Sequence, residues 1–338
     1  MRFGIFDHLD DSGVPLTKHF EERLKLVEAY DRAGFYGYHL AEHHNTPLGY
    51  APSPSVFLAA VTQRTKNLRF GPMVYLLPLY HPLRLIDEIC MLDQMSGGRF
   101  MYGVGRGISP VEVGFYGVDF ATGAAQFREA FEAIRIGLTE DELTYHGKFY
   151  DFDHVPIAMK PFQKPYPELW YGLGNPASVP WAAANAANTV TRRPPAQVRA
   201  ITDNYRAEWQ KLGRPEKDLP LLGVNRHIIV AETEDEALDT ARRGYPAWRH
   251  HMGLLWHKYS VPFPLEAALP EDWRDLQKHG DAIAGTPTQV RDYIAREIEM
   301  TQVNYYVCDF AFGTISHAEA LRSIELFTQE VMPAFADA

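Results

Sequence analysis

The stretch AEHHN, Ala41 to Asn45, sets a carboxylate and two imidazoles side by side where an apolar segment gives way to Pro/Gly-rich chain. An imidazole titrating near neutrality can accept or donate a proton at working pH, and a neighbouring carboxylate can hold its orientation. His39 to His43 also matches H-x-x-E-H, a zinc-protease pattern that works only on a helix, where residues four apart share a face. GFYGYHLA instead reads as a strand, so at about 3.3 Å per residue the two histidines stand roughly 13 Å apart, too far to ligate one zinc. No metal is expected here. Taken singly, His43 or His44 is as readily a loop histidine as a catalytic one.

Other polar residues fall at comparable places. Arg106 closes an apolar segment between Gly105 and Gly107, which permit close backbone approach, and its planar fork suits phosphate oxygens. A structural salt bridge is the competing reading of that arginine. Further on, GLGNPAS opens a helix with Asn175, Pro176 and Ser178, a start whose free amides favour an anion. Two phosphate-suited elements at adjacent strand ends point to a phosphorylated ligand. Ser109 and Glu112 follow Arg106, and Asp309 closes a later segment. Phe6, Tyr75, Tyr80, Phe115, Tyr116, Trp256 and Phe310 are candidates to line an apolar pocket for a flat ring.

These residues need a frame that brings distant strand ends together. Strand-like and helix-like segments alternate along the whole chain, the pattern of a parallel α/β fold. RFGIF, YGYHLA, LRFGPMVYL and RFMYGVG read as the first four strands, and LWYGLG, a weak TVT, LLGVNRHIIVA and VNYYVCDF as the next four. Helical spacing fills the intervals, and LTYHGKFYDFDHVPI reads as a hairpin excursion before the fifth strand. The count is that of a (β/α)8 TIM barrel with insertions, in which residues just after the strands face the active site. One domain spans 1–338. Its seventh helix starts at EDEALDTARRGY, and the aromatic, proline-rich sequence of 248–284 reads as a lid or insertion. The alternative, an open dinucleotide-binding sheet, needs G-x-G-x-x-G after the first strand, where RFGIFDHLDDSG stands instead.

With 338 residues, 46% of them hydrophobic, the chain can bury a large core. Its formal charge of −10 opposes binding to nucleic acid phosphates and anionic lipid surfaces, so no nucleic acid or membrane partner is expected and a small-molecule substrate is. The absence of a long apolar run and the acidic start favour a cytoplasmic protein. The 2 cysteines lie far apart, suggesting neither a disulfide framework nor a thiolate zinc site.

HPLRLIDEICMLDQMSGGRFMYGVGRG, His81 to Gly107, resembles the signature helix, turn and strand of the bacterial luciferase-like flavin monooxygenases. AEHHN is similar to that family's E-H-H element, and GTPTQVRDYI and LFTQEVMPAF to its C-terminal segments. The resemblance runs over nearly the whole chain. It implies a barrel that binds reduced FMN at the C-terminal strand ends, with His43 as the acid/base and Glu112 where the light-emitting subunit carries an acidic residue. It also implies that Arg106, Asn175 and Ser178 hold the flavin phosphate, and that Met73 and Val74 form a non-proline cis peptide against which the ring packs.

The implied reaction takes reduced FMN from a separate NAD(P)H-dependent flavin reductase, adds O2 to give a flavin hydroperoxide, and oxygenates a small organic substrate. A homodimer is implied too. Two alternatives stay open: hydride transfer with a deazaflavin, and non-catalytic flavin binding. The chain departs from light-emitting subunits at Gly105, where they carry a reactive cysteine, and at Gly174 and Asn175, where they carry Glu-Ser. The sequence around the sixth strand, AAANAANTVTRRPP, also looks shortened.

Overall fold

The computed structural model describes residues 1–336. The first half runs β1 (Arg2–Asp7), α1 (Leu16–Ala33), β2 (Gly37–Leu40), α2 (Pro54–Arg64), β3 (Arg69–Pro72), β4 (Tyr75–Leu76), α3 (Pro82–Ser96), β5 (Met101–Gly105), α4 (Pro110–Phe115) and α5 (Gly123–Thr139). A hairpin of β6 (Glu142–His146) and β7 (Asp151–Pro156) stands apart from the main sheet, as its sequence predicts. The path continues through β8 (Glu168–Gly172), α6 (Val179–Ala184), β9 (Asn188–Thr191), α7 (Pro195–Lys211), β10 (Leu222–Val230) and α8 (Glu234–Lys258). It ends with α9 (Trp273–Lys278), β11 (Ala282–Gly285), α10 (Pro287–Thr301), β12 (Tyr305–Asp309) and α11 (His317–Leu326).

The strands pair in the order β3, β2, β1, β12, β10, β9, β8, β5, β4, every neighbour parallel. The two ends of that series, β3 and β4, are halves of a single barrel strand, and Phe70 bridges to Phe100 across the seam. The sheet therefore closes, and the chain is a (β/α)8 barrel. Side chains alternate across the strands as the pleat requires. Met101, Trp170, Val190, Tyr305 and Val307 form a cluster inside, while Phe3, Ile5, Tyr38 and Leu40 join the larger core shared with the helices. Tyr305 crosses the interior because Gly4 leaves room: a Cβ there would stand 1.7 Å from its hydroxyl. That hydroxyl lies 2.8 Å from His39 Nε2, which keeps His39 within the barrel, on a strand and one layer below the rim.

The structure corrects several sequence boundaries. The third strand does not run unbroken through LRFGPMVYL; it divides at Met73–Val74, which is a cis peptide. The seventh helix does not stop before Trp248 but continues to Lys258 through Pro246. An internal proline forfeits one helical hydrogen bond, and here the buried face, with Trp248, Leu255 and Trp256 beyond the proline, holds the helix together. Within 248–284 the segment lacking regular helix or strand is therefore narrower, between Lys258 and Trp273, and is followed by α9 and the extra strand β11. β11 pairs with the end of β10, from His227 to Val230, after β9 has left that edge. Arg226 ties this region to α10 through Glu297 at 2.6 Å and to the turn before β11 through Asp281 at 3.4 Å. Among the described residues no helix is long and apolar enough to cross a membrane.

Candidate active site at the C-terminal rim of the barrel

A cavity of about 640 Å³ opens where the strands end, and all seven candidates from the sequence, His43, Met73, Val74, Arg106, Glu112, Asn175 and Ser178, line it. Residues more than a hundred positions apart meet here because parallel strands deliver their C-terminal ends to one face.

At one end His43 Nδ1 lies 3.2 and 3.3 Å from the two carboxylate oxygens of Glu112. Glu112 sits in the first turn of α4, a short helix within a stretch the sequence leaves as loop. Ser109 caps it by accepting from Glu112 N at 3.2 Å. Burial would raise the Glu112 carboxyl, but the His43 charge, its hydrogen bond and the 2.8 Å bond from His44 N outweigh that and hold it below the ordinary glutamate value. An ionised carboxylate only accepts, so Nδ1–H donates and the other ring nitrogen, Nε2, is left for the cavity. His44 turns the other way, with Nε2 2.8 Å from buried Glu42 and Nδ1 2.8 Å from the Tyr116 hydroxyl. Glu42 also accepts from Tyr80 at 2.8 Å and Leu76 N at 3.2 Å. Burial raises its carboxyl despite these bonds. Of the paired histidines, only His43 lines the cavity.

At the other end the charge is positive. Arg106 forms no hydrogen bond or ion pair with any described residue; its guanidinium lies 4.4 Å from the Phe120 ring centroid. The salt-bridge reading of this arginine therefore fails among the described residues. Arg128 on α5 also lines the cavity and is likewise without an acidic partner among them. Arg193, a third cationic wall residue, donates to Gly174 O at 2.8 and 3.2 Å and braces the chain after β8. Asn175 Oδ1 accepts from Ala177 N at 3.0 Å, which makes the predicted helix opening a 3-10 turn, Pro176–Ser178, leading into α6. Ser178 spends no hydroxyl bond on capping α6 and stands 3.5 Å from the Tyr171 hydroxyl.

Between the two ends, Met73 and Val74 form a shelf. A Cβ at Gly105 would stand 2.2 Å from Val74 Cγ2, so the shelf occupies the space a side chain there would need. This gives the departure at Gly105 a steric cause.

Sequence reasoning missed Arg128 and Arg193. Arg128 could have been found from helix phase, since Ala124, Phe127 and Arg128 share one face and all line the cavity. Of the aromatic candidates only Phe6 lines it, while Phe127, Tyr171 and Trp181 do so unannounced. Tyr75, Trp256 and Phe310 are buried elsewhere, Phe115 and Tyr116 are exposed, and Asp309 lies buried 3.0 Å from His227, outside the cavity wall.

The family model described as luciferase-like monooxygenase matches residues 1–304. The oxygenase component of the flavin-dependent trigonelline monooxygenase of Acinetobacter baylyi is 26% identical, with 100% of this chain and 96% of that protein covered. The crystal structure of monooxygenase RslO1 from Streptomyces bottropensis superposes with a TM-score of 0.88 at 26% identity, covering 99% of this chain and 100% of that one. The oxygenating constituent of 3,6-diketocamphane monooxygenase from Pseudomonas putida, solved in complex with FMN, shares the fold with a TM-score of 0.83 at 22% identity and 98% coverage of both chains.

Proposed function

The chain belongs to the luciferase-like monooxygenase family, and from that premise we propose that it is the oxygenase component of a two-component system using reduced FMN and O2 to oxygenate a small organic substrate. The observation that carries this reading is the pair Arg106 and Arg128, two guanidinium groups lining the cavity without a carboxylate partner among the described residues. Cations kept free of protein anions in a cavity that also presents a hydroxyl, here Ser178, suit a phosphate monoester. The shelf of Met73 and Val74 and the rings of Phe6 and Tyr171 offer apolar surface for a flat ring between that wall and His43. The residues present thus fit FMN.

When bound, reduced FMN supplies the oxygen chemistry, reacting with O2 and passing one oxygen atom to the substrate. The chain's own part is placement and proton handling. Arg106, Arg128, Asn175 and Ser178 hold and orient the phosphate tail. Glu112 fixes His43 with Nδ1–H inward, so Nε2 takes and returns a proton within the cavity. The same carboxylate balances the imidazolium when His43 is protonated. Phe6, packed edge-on to His8 beside His43, helps shield the reacting end from water. Reducing equivalents come from a separate NAD(P)H-dependent flavin reductase, in keeping with the lack of a glycine-rich dinucleotide turn after β1.

Anaerobic titration with reduced FMN, followed by rapid mixing with oxygenated buffer and measurement of O2 uptake, tests the proposal. Saturable one-to-one binding and O2 consumption are expected. Preference for a reduced deazaflavin, with no O2 uptake, would replace this reading with hydride transfer. Binding of FMN without O2 use or product would leave only a flavin-binding protein.

A further inference from the structure

Beyond the His43 end of the cavity lies a polar cluster with no part in holding a flavin or serving His43. It comprises Thr191 and Arg192 at the end of β9, His227 on β10, and Asp309 at the end of β12, with Trp248 of α8 against them. The Arg192 guanidinium lies over the Trp248 ring, 4.7 Å from its centroid. It makes no hydrogen bond or ion pair with any described residue; Nε and Nη2 are covered from solvent without a partner, which leaves Nη1 as the open nitrogen. Thr191 Oγ1 and His227 Nε2 are covered without partners as well.

The other arginines buried in the barrel are not left in this state. Arg23 lies 3.3 Å from Asp7 and 3.5 Å from Asp10, and Arg226 lies 2.6 Å from Glu297. Covering two guanidinium nitrogens from water without an anion is costly, and Arg192 stays partly exposed through Nη1, so the exception calls for an acceptor from outside the chain at that open nitrogen. The carboxylates nearest in charge do not supply it. Asp281 is already 3.4 Å from Arg226. Asp309 is pushed well above the usual carboxylate range by burial, and His227 is kept neutral by burial and by the Arg192 charge itself.

The cluster is one ring layer from the proposed proton-handling residue. Trp248 Nε1 donates to His8 Nδ1 at 3.3 Å, and the His8 ring stacks on His43 with centroids 5.7 Å apart. Phe6, which lines the cavity, packs edge-on to His8 at 4.8 Å. Arg192 is not itself among the residues lining the cavity, but it follows β9 as His43 follows β2, which puts both at the same C-terminal rim.

We propose that Arg192, packed over Trp248, anchors the carboxylate of the substrate, so that the molecule oxygenated is an organic acid. Packing over the indole leaves Nη1 open to donate to a carboxylate oxygen, while Nε and Nη2 stay covered. The phosphate has its own arginines, Arg106 and Arg128, which leaves Arg192 for a second anion. The assignment of this anion as substrate rests on the flavin reading; the anion site itself does not.

The test is calorimetric titration of wild type, Arg192→Met and Arg193→Met with three matched pairs: benzoate and benzamide, phenylacetate and phenylacetamide, octanoate and octanamide. Reduced FMN is titrated separately under anaerobic conditions. In at least one pair the acid should bind wild type about 10-fold or more tighter than the amide. Arg192→Met should abolish that preference while FMN affinity stays within about twofold, and Arg193→Met should keep it. Ligand-free Arg192→Met should also melt only slightly below wild type, because the packing on Trp248 is lost but no protein acceptor is. Arg192→Gln provides the same comparison if the methionine variant does not fold.

The inference is overturned if no pair favours the acid, if the preference survives in Arg192→Met, or if that variant melts clearly lower. A loss of FMN affinity of about 10-fold or more in Arg192→Met would place the guanidinium on the flavin instead, also overturning it. Acid preference in a wild type that binds no FMN would leave the anion site standing and remove the flavin reading.

Discussion

Replacing Arg106 by alanine separates a ligand-binding arginine from a structural one. Because Arg106 has no carboxylate partner among the described residues, its removal strands no buried anion. The interaction lost within the protein is its stacking on Phe120, worth about 0.5–1 kcal/mol at a partly exposed site. A hydrogen bond to a charged group contributes about 1.5–3 kcal/mol. At about 1.4 kcal/mol per decade, loss of that bond should weaken reduced FMN binding by about 10- to 150-fold. Arg128 remains in the cavity wall, so binding should weaken without vanishing. The assay is anaerobic fluorescence titration of wild type and Arg106→Ala with reduced FMN and, in parallel, reduced riboflavin. Riboflavin lacks the phosphate, so its affinity should be nearly equal in the two proteins. Equal losses for both ligands, FMN affinity within about twofold of wild type, or a large fall in melting temperature would each refute the phosphate assignment.

His43→Ala should still bind FMN, while oxygen transfer falls by about 100-fold or more, read by single-turnover product formation. For Glu112→Gln the readout is stability against pH. The wild-type carboxyl is held below its unfolded value, so it adds stability above about pH 4.3 that is lost as pH falls through the folded value. Urea unfolding should therefore show the smallest gap between the two proteins near about pH 3 and the largest above about pH 5; a flat gap would contradict the ion pair. Gly105→Ala should cost about 1–3 kcal/mol of stability through its 2.2 Å contact with Val74, and FMN affinity should fall as the shelf shifts. Arg226→Met, which strands Glu297 and Asp281, should cost about 3–5 kcal/mol by denaturant titration.

How far the site was legible in the sequence depends on how each residue reaches the rim. His43, Arg106, Asn175 and Ser178 come just after barrel strands, where a short apolar run followed by polar residues marks the end without any knowledge of packing. Glu112 is likewise marked by its place after the fourth strand, though its role comes from resemblance; Met73 and Val74 come from resemblance alone, because a cis bond within an apolar run leaves no periodic trace. Arg128 comes from a helix, and its place follows only once the phase of α5 is fixed by Phe127 facing inward. The α8 boundary misled for a related reason. Pro246 reads as a stop, whereas the outcome was decided by what lies beyond it, tryptophans that must be buried against the barrel. β11 is too short and too plain, AIAG, to stand out from a coil; it is a strand only because β10 offers it an unpaired edge.

Arg192 shows the limit from the other side. In sequence it is half of an unremarkable Arg-Arg pair after a weak strand, and nothing distinguishes it from Arg193. The fold separates them: Arg193 turns to Gly174 and braces a loop, while Arg192 turns inward onto Trp248. What makes one of them a candidate for binding is the absence of an acceptor, a property of neighbours brought in from β10, β12 and α8. Charge placed on a strand end can be read locally. Whether that charge is already answered within the protein depends on long-range packing, and that is the information a barrel adds to its sequence.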